Sequence, residues 1–164
     1  MKGIVAYDSV NGNTKQVAEA IAEELKSGGF EAVVLSVKEH APGDITGDVL
    51  FIGSPTRGGK MTKSTKEFLE GLNVEYWKGK AVIAFDTLGP LSKDTEKRRK
   101  QLGSIDGGKN AATTIRNAGE ERGINIHPRM LHFAVVGMWG PLAPDALDLA
   151  REATRRIVGE LRKA

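Results

Sequence analysis

The sequence predicts an α/β protein in which a five-stranded parallel sheet lies between two layers of helices, doubly wound in the order 2-1-3-4-5. Short apolar runs alternate with amphipathic stretches of helical period, which is typical of this class. Runs such as residues 49–53 show no polar alternation, so both faces of these strands are expected to be buried, as in a parallel sheet. Five strands favour this order over a six-stranded dinucleotide fold. A length of 164 residues predicts a single domain, residues 1–164.

The elements follow one another along the chain. Apolar runs predict strands at residues 2–7, 32–35, 49–53, 81–85 and 131–136. Helical periodicity predicts helices at residues 13–27, 64–71, 110–121 and 144–161. The first helix is expected to stop at Gly28-Gly29, and Ser64 and Glu67 are expected to form a capping box for the second.

The composition excludes several kinds of chemistry. The chain has no cysteine, so it forms no disulfide and offers no thiolate nucleophile or iron–sulfur ligand. Its three histidines show no metal-ligand spacing, and we expect no metal site. No apolar run approaches the roughly 20 residues of a membrane helix, and residues 1–30 lack a signal-peptide layout. The expected location is therefore the cytoplasm.

The loop after the first strand predicts a phosphate site. In a doubly wound sheet, ligands bind beyond the carboxyl ends of the strands, between strands 1 and 3. This loop offers hydroxyl and amide groups and leads into a helix N-terminus, which favours an anion. Its predicted site residues are Ser9, Val10, Asn11, Gly12, Asn13 and Thr14. The alternative is a simple helix N-cap, because Asn and Thr cap helices well.

Two further loops are expected at the same edge of the sheet. The loop after strand 3 spans residues 53–61 and is longer than a simple connection needs. Its amides and Thr56 are suited to hydrogen-bonding a flat heterocycle, and the loop after strand 4 forms the opposite wall. The predicted site residues here are Ser54, Pro55, Thr56, Arg57, Gly58, Thr87, Leu88 and Gly89. The alternative is that both loops only connect a strand to a helix.

These loops resemble those of the flavodoxin-like FMN-binding family, over nearly the whole chain. The run from Ser9 to Thr14 is similar to the family's phosphate loop, although Asn11 replaces the usual hydroxyl residue. Residues 53–57 and 87–89 resemble its two isoalloxazine loops, and residues 55–61 resemble the WrbA-type quinone reductases in particular. The resemblance implies FMN as the cofactor, held by the three loops.

The sequence also departs from the family. Flavodoxins usually place an aromatic residue from each ring loop against the flavin, and neither loop carries one here. Trp139 and the pair Tyr76-Trp77 are the candidates to replace them, although Trp139 is expected to pack in or near the core. The connections are shorter than in WrbA-type proteins, so a tetramer and a nicotinamide site do not carry over; homo-oligomerisation stays open.

Charge is unevenly distributed. Residues 1–50 hold 4 basic and 8 acidic side chains, whereas residues 51–100 hold 11 basic and 6 acidic ones. Basic residues after strands 3 and 4 are expected to form a rim at the ligand edge: Arg57, Lys60, Lys63, Lys93, Lys97, Arg98, Arg99 and Lys100. Such a rim would stabilise anionic reduced FMN and attract acidic partners or a nicotinamide phosphate. Because no aromatic side chains are interleaved with it, we expect no nucleic-acid binding.

Catalytic side chains are not apparent, because no nucleophile or acid–base set stands out. His132, within strand 5, is expected to be a packed histidine. Asp86, at the end of strand 4, is expected either to contact the ribityl chain or to cap a turn.

Three functions remain open from the sequence. The first is an electron-transfer protein that binds FMN and works with a redox protein partner. The second is an FMN-dependent NAD(P)H:quinone oxidoreductase, and the third is an interaction domain without flavin.

Overall fold

Five strands form one parallel sheet in the computed structural model of the chain, which describes residues 1–137 and 140–163. The strands are β1 (Lys2–Tyr7), β2 (Glu31–Ser36), β3 (Val49–Pro55), β4 (Ala81–Leu88) and β5 (Leu131–Ala134). Their order across the sheet is β2-β1-β3-β4-β5. The predicted fold class is therefore confirmed.

The helices cover both faces of the sheet. They are α1 (Asn13–Ser27), α2 (Lys63–Glu70), α3 (Val74–Trp77), α4 (Thr95–Gly103), α5 (Ala111–Glu121) and α6 (Ala146–Lys163), with a 3₁₀ turn at Pro42–Asp44. Because successive strand residues point to opposite faces, Phe51 packs with α1 and α6, whereas Ile52 packs with α2 and α5. Among the described residues, no helix has the length and apolar character needed to cross a membrane.

The structure corrects the predicted start of α2. The helix begins one residue earlier than expected, and its cap is Thr62, whose hydroxyl accepts a hydrogen bond from the Thr65 N–H. The capping box of Ser64 and Glu67 was therefore a wrong prediction.

Three strands end two or more residues from the predicted position, and the first of them is β3, which reaches Pro55 instead of residue 53. β4 extends three residues beyond Phe85, because residues 86–88 pair with β3 and β5. β5 ends at Ala134, and Val135 forms an isolated antiparallel bridge to Leu142 instead of extending the ladder.

Helices α3 and α4 were not predicted. The buried residue of α4 is Arg98, whose side chain is 2% exposed. It donates to the carbonyls of Ser92 and Lys93 and to Asp145 Oδ1 at 3.1 Å. Arg98 thus fastens α4 to the start of α6, and its predicted place in the exposed basic rim was wrong.

Candidate functional site

A cleft opens at the carboxyl ends of β1, β3 and β4 and encloses about 480 Å³ of space continuous with solvent. Its lining residues are Ser9, Val10, Asn11, Asn13, Thr14, Pro55, Thr56, Arg57, Thr87, Leu88, Gly89 and Val135. All three predicted loops contribute, and among residues 1–137 and 140–163 the lining includes a cation, Arg57, but no carboxylate. This position matches the switch between strands 1 and 3, where doubly wound sheets bind ligands.

The loop after β1 presents a helix N-terminus to this cleft. Gly12 precedes α1 with φ of 86°, and no side chain caps the helix. Ser9 Oγ accepts the Gly12 N–H at 3.0 Å. Within the described part of the chain, the N–H groups of residues 13–15 have no acceptor. Free amides at a helix N-terminus are suited to a phosphate group.

Side-chain and backbone contacts hold the three loops together. Thr14 Oγ1 and Thr87 Oγ1 are 2.9 Å apart, and both side chains are buried. The Thr56 N–H donates to the Thr87 carbonyl at 2.8 Å. Movement of one loop is therefore coupled to the other two.

The loop after β3 ends in a tight two-residue turn. Arg57 and Lys60 exchange backbone hydrogen bonds of 2.8 and 3.2 Å, and the central residues Gly58 and Gly59 have φ of 58° and 79°. Positive φ at both central positions is typical of the turn that joins two antiparallel segments. Gly58 lies at the tip of this turn, outside the cleft lining.

Ser54 lies beneath the cleft rather than in its lining. Its buried hydroxyl donates to the Pro55 carbonyl at 2.8 Å and accepts the Thr62 N–H at 3.0 Å. Thr56 lines the cleft, but its hydroxyl oxygen accepts the Ala111 N–H at 3.0 Å. Both side chains therefore position the loop against α2 and α5.

The loop after β4 approaches the end of β5 closely. A Cβ atom at Gly89 would lie 2.2 Å from the Val135 carbonyl oxygen, so only glycine fits there. Val135 itself lines the cleft, which the sequence did not indicate because this residue merely follows an apolar strand.

A second missed residue is Asp8, whose side chain is 2% exposed. Its Oδ2 accepts from the Thr62 hydroxyl at 2.5 Å, and its Oδ1 lies 3.3 Å from Lys38 Nζ. The sequence feature that could have identified Asp8 is a carboxylate placed directly after a buried strand. Asp8 connects the loop after β1 to the start of α2.

His132 joins two carboxylates beside the site. Its Nδ1 lies 2.9 Å from Asp86 Oδ1 and its Nε2 lies 2.5 Å from Asp106 Oδ1. Burial disfavours the imidazolium, but hydrogen bonds and charges from both aspartates outweigh it and raise the His132 pKa above 6.5. The packed histidine is confirmed, and Asp86 also accepts the Ala112 N–H at the start of α5.

The candidate aromatic residues do not reach the cleft. The Tyr76 hydroxyl bonds to the backbone of Gly47 near the amino end of β3, and Trp77 is fully buried below it. Both residues therefore lie at the opposite edge of the sheet, while Trp139 is outside the described residues. None of the described lining residues is aromatic.

Comparison with known proteins agrees with this geometry. A flavodoxin of Aquifex aeolicus is 36% identical over 93 residues, covering 54% of this chain and 50% of the relative. An NAD(P)H dehydrogenase (quinone) of Archaeoglobus fulgidus is 28% identical over 93 residues, covering 41% of this chain and 49% of the relative. The chain thus spans about half the length of these curated relatives.

Similarity to solved structures extends over the whole chain. A flavodoxin from the domain Archaea has a TM-score of 0.74 and 22% identity, with 99% of both chains covered. Oxidised flavodoxin 1 from Bacillus cereus has a TM-score of 0.68 and 17% identity, covering 97% of this chain and 98% of that one. The family described as flavodoxin domain matches residues 4–119. The chain therefore belongs to the flavodoxin family.

Proposed function

We propose that this protein binds one FMN in the cleft and transfers electrons as a flavodoxin-like protein. The free amides of residues 13–15, in a cleft whose described lining has no carboxylate, are the observation that carries the proposal. They suit the dianionic phosphate of FMN, and Arg57 adds a positive charge to the lining. Bound FMN would supply the redox chemistry, which none of the described lining side chains can perform.

The walls of the cleft suit the flat ring of the flavin. Loop residues 55–57 and 87–89 both line it and are tied by the Thr56–Thr87 hydrogen bond. In this arrangement the loop after β1 holds the phosphate and the other two loops hold the ring. No aromatic side chain of the described lining would stack on the ring.

Comparison of FMN with riboflavin tests the phosphate assignment, because riboflavin lacks only the phosphate. Two charge-assisted hydrogen bonds contribute about 3 kcal/mol in total, so we expect FMN to bind about 100-fold more tightly. Quenching of flavin fluorescence during titration of the flavin-free protein measures both affinities. Equal affinities would place the phosphate elsewhere, and no binding of either flavin would favour an interaction domain without flavin.

A second candidate function is NAD(P)H:quinone oxidoreduction. The specific observation in its favour is the similarity to the quinone dehydrogenase of Archaeoglobus fulgidus, together with the absence of an aromatic cover in the described cleft lining. Steady-state oxidation of NADPH by the FMN-loaded protein, with menadione as acceptor, separates the two functions. Turnover would identify a reductase, whereas an electron carrier leaves NADPH unchanged and exchanges electrons with a redox protein.

A further inference from the structure

The edge of the sheet around the cleft carries lysines without acidic partners. We propose that this surface docks the acidic face of a redox partner protein, an inference that rests on the proposed electron-transfer function. The surface, here called the lysine rim, consists of Lys60, Lys66, Lys93, Lys97, Lys100 and Lys109, all exposed. Within residues 1–137 and 140–163, none of these six side chains forms an ion pair.

The lysine rim is continuous with the walls of the cleft. Lys60 exchanges backbone hydrogen bonds with Arg57, which lines the cleft. Lys109 packs against Gly59 in the same turn, since a Cβ there would lie 2.9 Å from Lys109 Cβ. Lys93 lies four residues beyond Gly89 and leads into α4. A protein seated on the rim would therefore cover the mouth of the cleft.

Arginines on another face of the molecule form ion pairs with acidic residues of this chain. On the α1 and α6 face, Arg155 bonds to Glu24 at 3.2 Å and Arg151 approaches Glu23 at 3.5 Å. Near the end of α6, Arg129 bonds to Glu160 at 2.7 Å. Those arginines have acidic partners within the chain, whereas Lys26 and Lys78 form no ion pair within the described residues. The lysine rim therefore differs from the rest of the surface by the clustering of its charges around one cleft, where a molecule that supplies carboxylates would relieve their mutual repulsion.

Acidic residues within the same segments compensate the rim only in part. Residues 89–109 contain six basic side chains against three acidic ones, Asp94, Glu96 and Asp106. The Asp94 carboxylate accepts the Lys97 N–H as the cap of α4, and Asp106 is bonded to His132. Residues 57–66 contain four basic and no acidic side chains. The uncompensated charge therefore lies on both sides of the cleft.

The composition of this surface suits a protein partner better than a nucleic acid. Residues 57–66 and 89–109 contain no aromatic side chain on which a base could stack. Val10, beside the cleft, is 55% exposed and provides an apolar centre inside the basic rim. An apolar centre with a charged rim is the usual anatomy of a protein–protein interface.

NMR titration of the ¹⁵N-labelled protein with the soluble domain of cytochrome b5, an acidic haem protein, tests the proposal. At low salt we expect shifts in residues 57–66 and 89–109, and these shifts should fade as salt is raised. The K60Q/K97Q variant should weaken binding about tenfold. Because binding is measured with and without FMN, failure of flavin binding and failure of docking give different results.

The matched control is K26Q/K78Q, which removes the same charge from exposed lysines at the opposite edge of the sheet. It should leave the affinity for cytochrome b5 within about twofold. An equal loss in the control, or shifts confined to α1 and α6, would contradict the proposal. Tighter binding of a uridylate 12-mer through the same lysines would show a nucleic-acid surface instead.

Discussion

Gly12 sets the direction of the free amides at the start of α1. Its φ of 86° lies in the left-handed region, where a residue with a Cβ is strained by about 1 to 2 kcal/mol. We predict that Gly12→Ala lowers the free energy of unfolding by that amount and weakens FMN binding about tenfold, since the loop relaxes away from the phosphate. Thermal melts and flavin titration measure the two effects.

Gly103→Ala is the control for that prediction. Gly103 ends α4, has no positive φ, and has nothing within 4 Å of an added Cβ. Its replacement should change neither the stability nor the FMN affinity appreciably. If Gly12→Ala also leaves both unchanged, the backbone at Gly12 does not position the amides.

His132 makes stability depend on pH in a defined direction. Its pKa is raised above 6.5 in the folded protein, so its bonds to Asp86 and Asp106 contribute fully below pH 6.5 and are lost as pH rises through the folded-state pKa. A tenfold difference in proton affinity between the folded and the unfolded protein corresponds to about 1.4 kcal/mol of stability. Urea unfolding at a series of pH values from 6 upward should show wild-type stability falling across this window.

The His132→Gln variant should lose this fall, because it removes the titrating imidazole and leaves the other histidines in place. NMR titration of the His132 ring provides an independent measurement of the same pKa. Parallel pH curves for the two proteins would show that another group is responsible.

Individual site residues divide into those that a sequence can indicate and those that packing decides. Ser9 to Thr14 are indicated by a polar turn between an apolar run and an amphipathic helix. Ser54 also lies in a polar loop after an apolar run, yet its hydroxyl is already hydrogen-bonded to the backbone of Pro55 and Thr62. Val135 lines the cleft because its backbone is hydrogen-bonded to Leu88 and Leu91, which are distant from it in the sequence.

Among the elements, α4 shows why an amphipathic pattern is an incomplete guide. The strongly periodic α1 begins and ends where predicted, because apolar residues face the sheet. By contrast, α4 has no apolar stripe, and Arg98 takes the place of a buried hydrophobic residue. The partner that anchors Arg98 is Asp145, 47 residues away, and local sequence could not reveal that contact.

We predict that Arg98→Leu loosens α4 without unfolding the sheet. The substitution removes the bonds to Ser92, Lys93 and Asp145, and loss of a buried charged partner costs about 3 kcal/mol. Hydrogen exchange should accelerate for amides in Thr95–Gly103 while β3 and β4 remain protected.

Arg99→Leu is the matched control on the same helix. Arg99 is 64% exposed and lies 3.6 Å from Asp145, so this pair contributes well under about 1 kcal/mol. If the two variants exchange alike, the buried position of Arg98 is not what holds α4.

For the whole molecule, the lysines around the cleft should tune the bound flavin. A lysine at roughly 10 Å in water-like surroundings stabilises a negative charge by about 0.4 kcal/mol, or about 20 mV in a one-electron step. Lys60 and Lys109 lie closest to the turn that carries Arg57. We therefore predict that K60Q/K109Q lowers the potential for forming anionic reduced FMN by about 40 mV at low salt.

Spectroelectrochemical titration of the FMN-loaded protein measures this potential, and K26Q/K78Q again removes equal charge from the far edge of the sheet. Because the Debye length is about 10 Å at 0.1 M salt, the difference between the two variants should shrink as salt is raised. If the local field of the lysines sets the potential, only K60Q/K109Q should lower it. If net charge alone sets it, both variants should lower the potential equally. Equal shifts, or none, would contradict tuning of the flavin by the local field of Lys60 and Lys109.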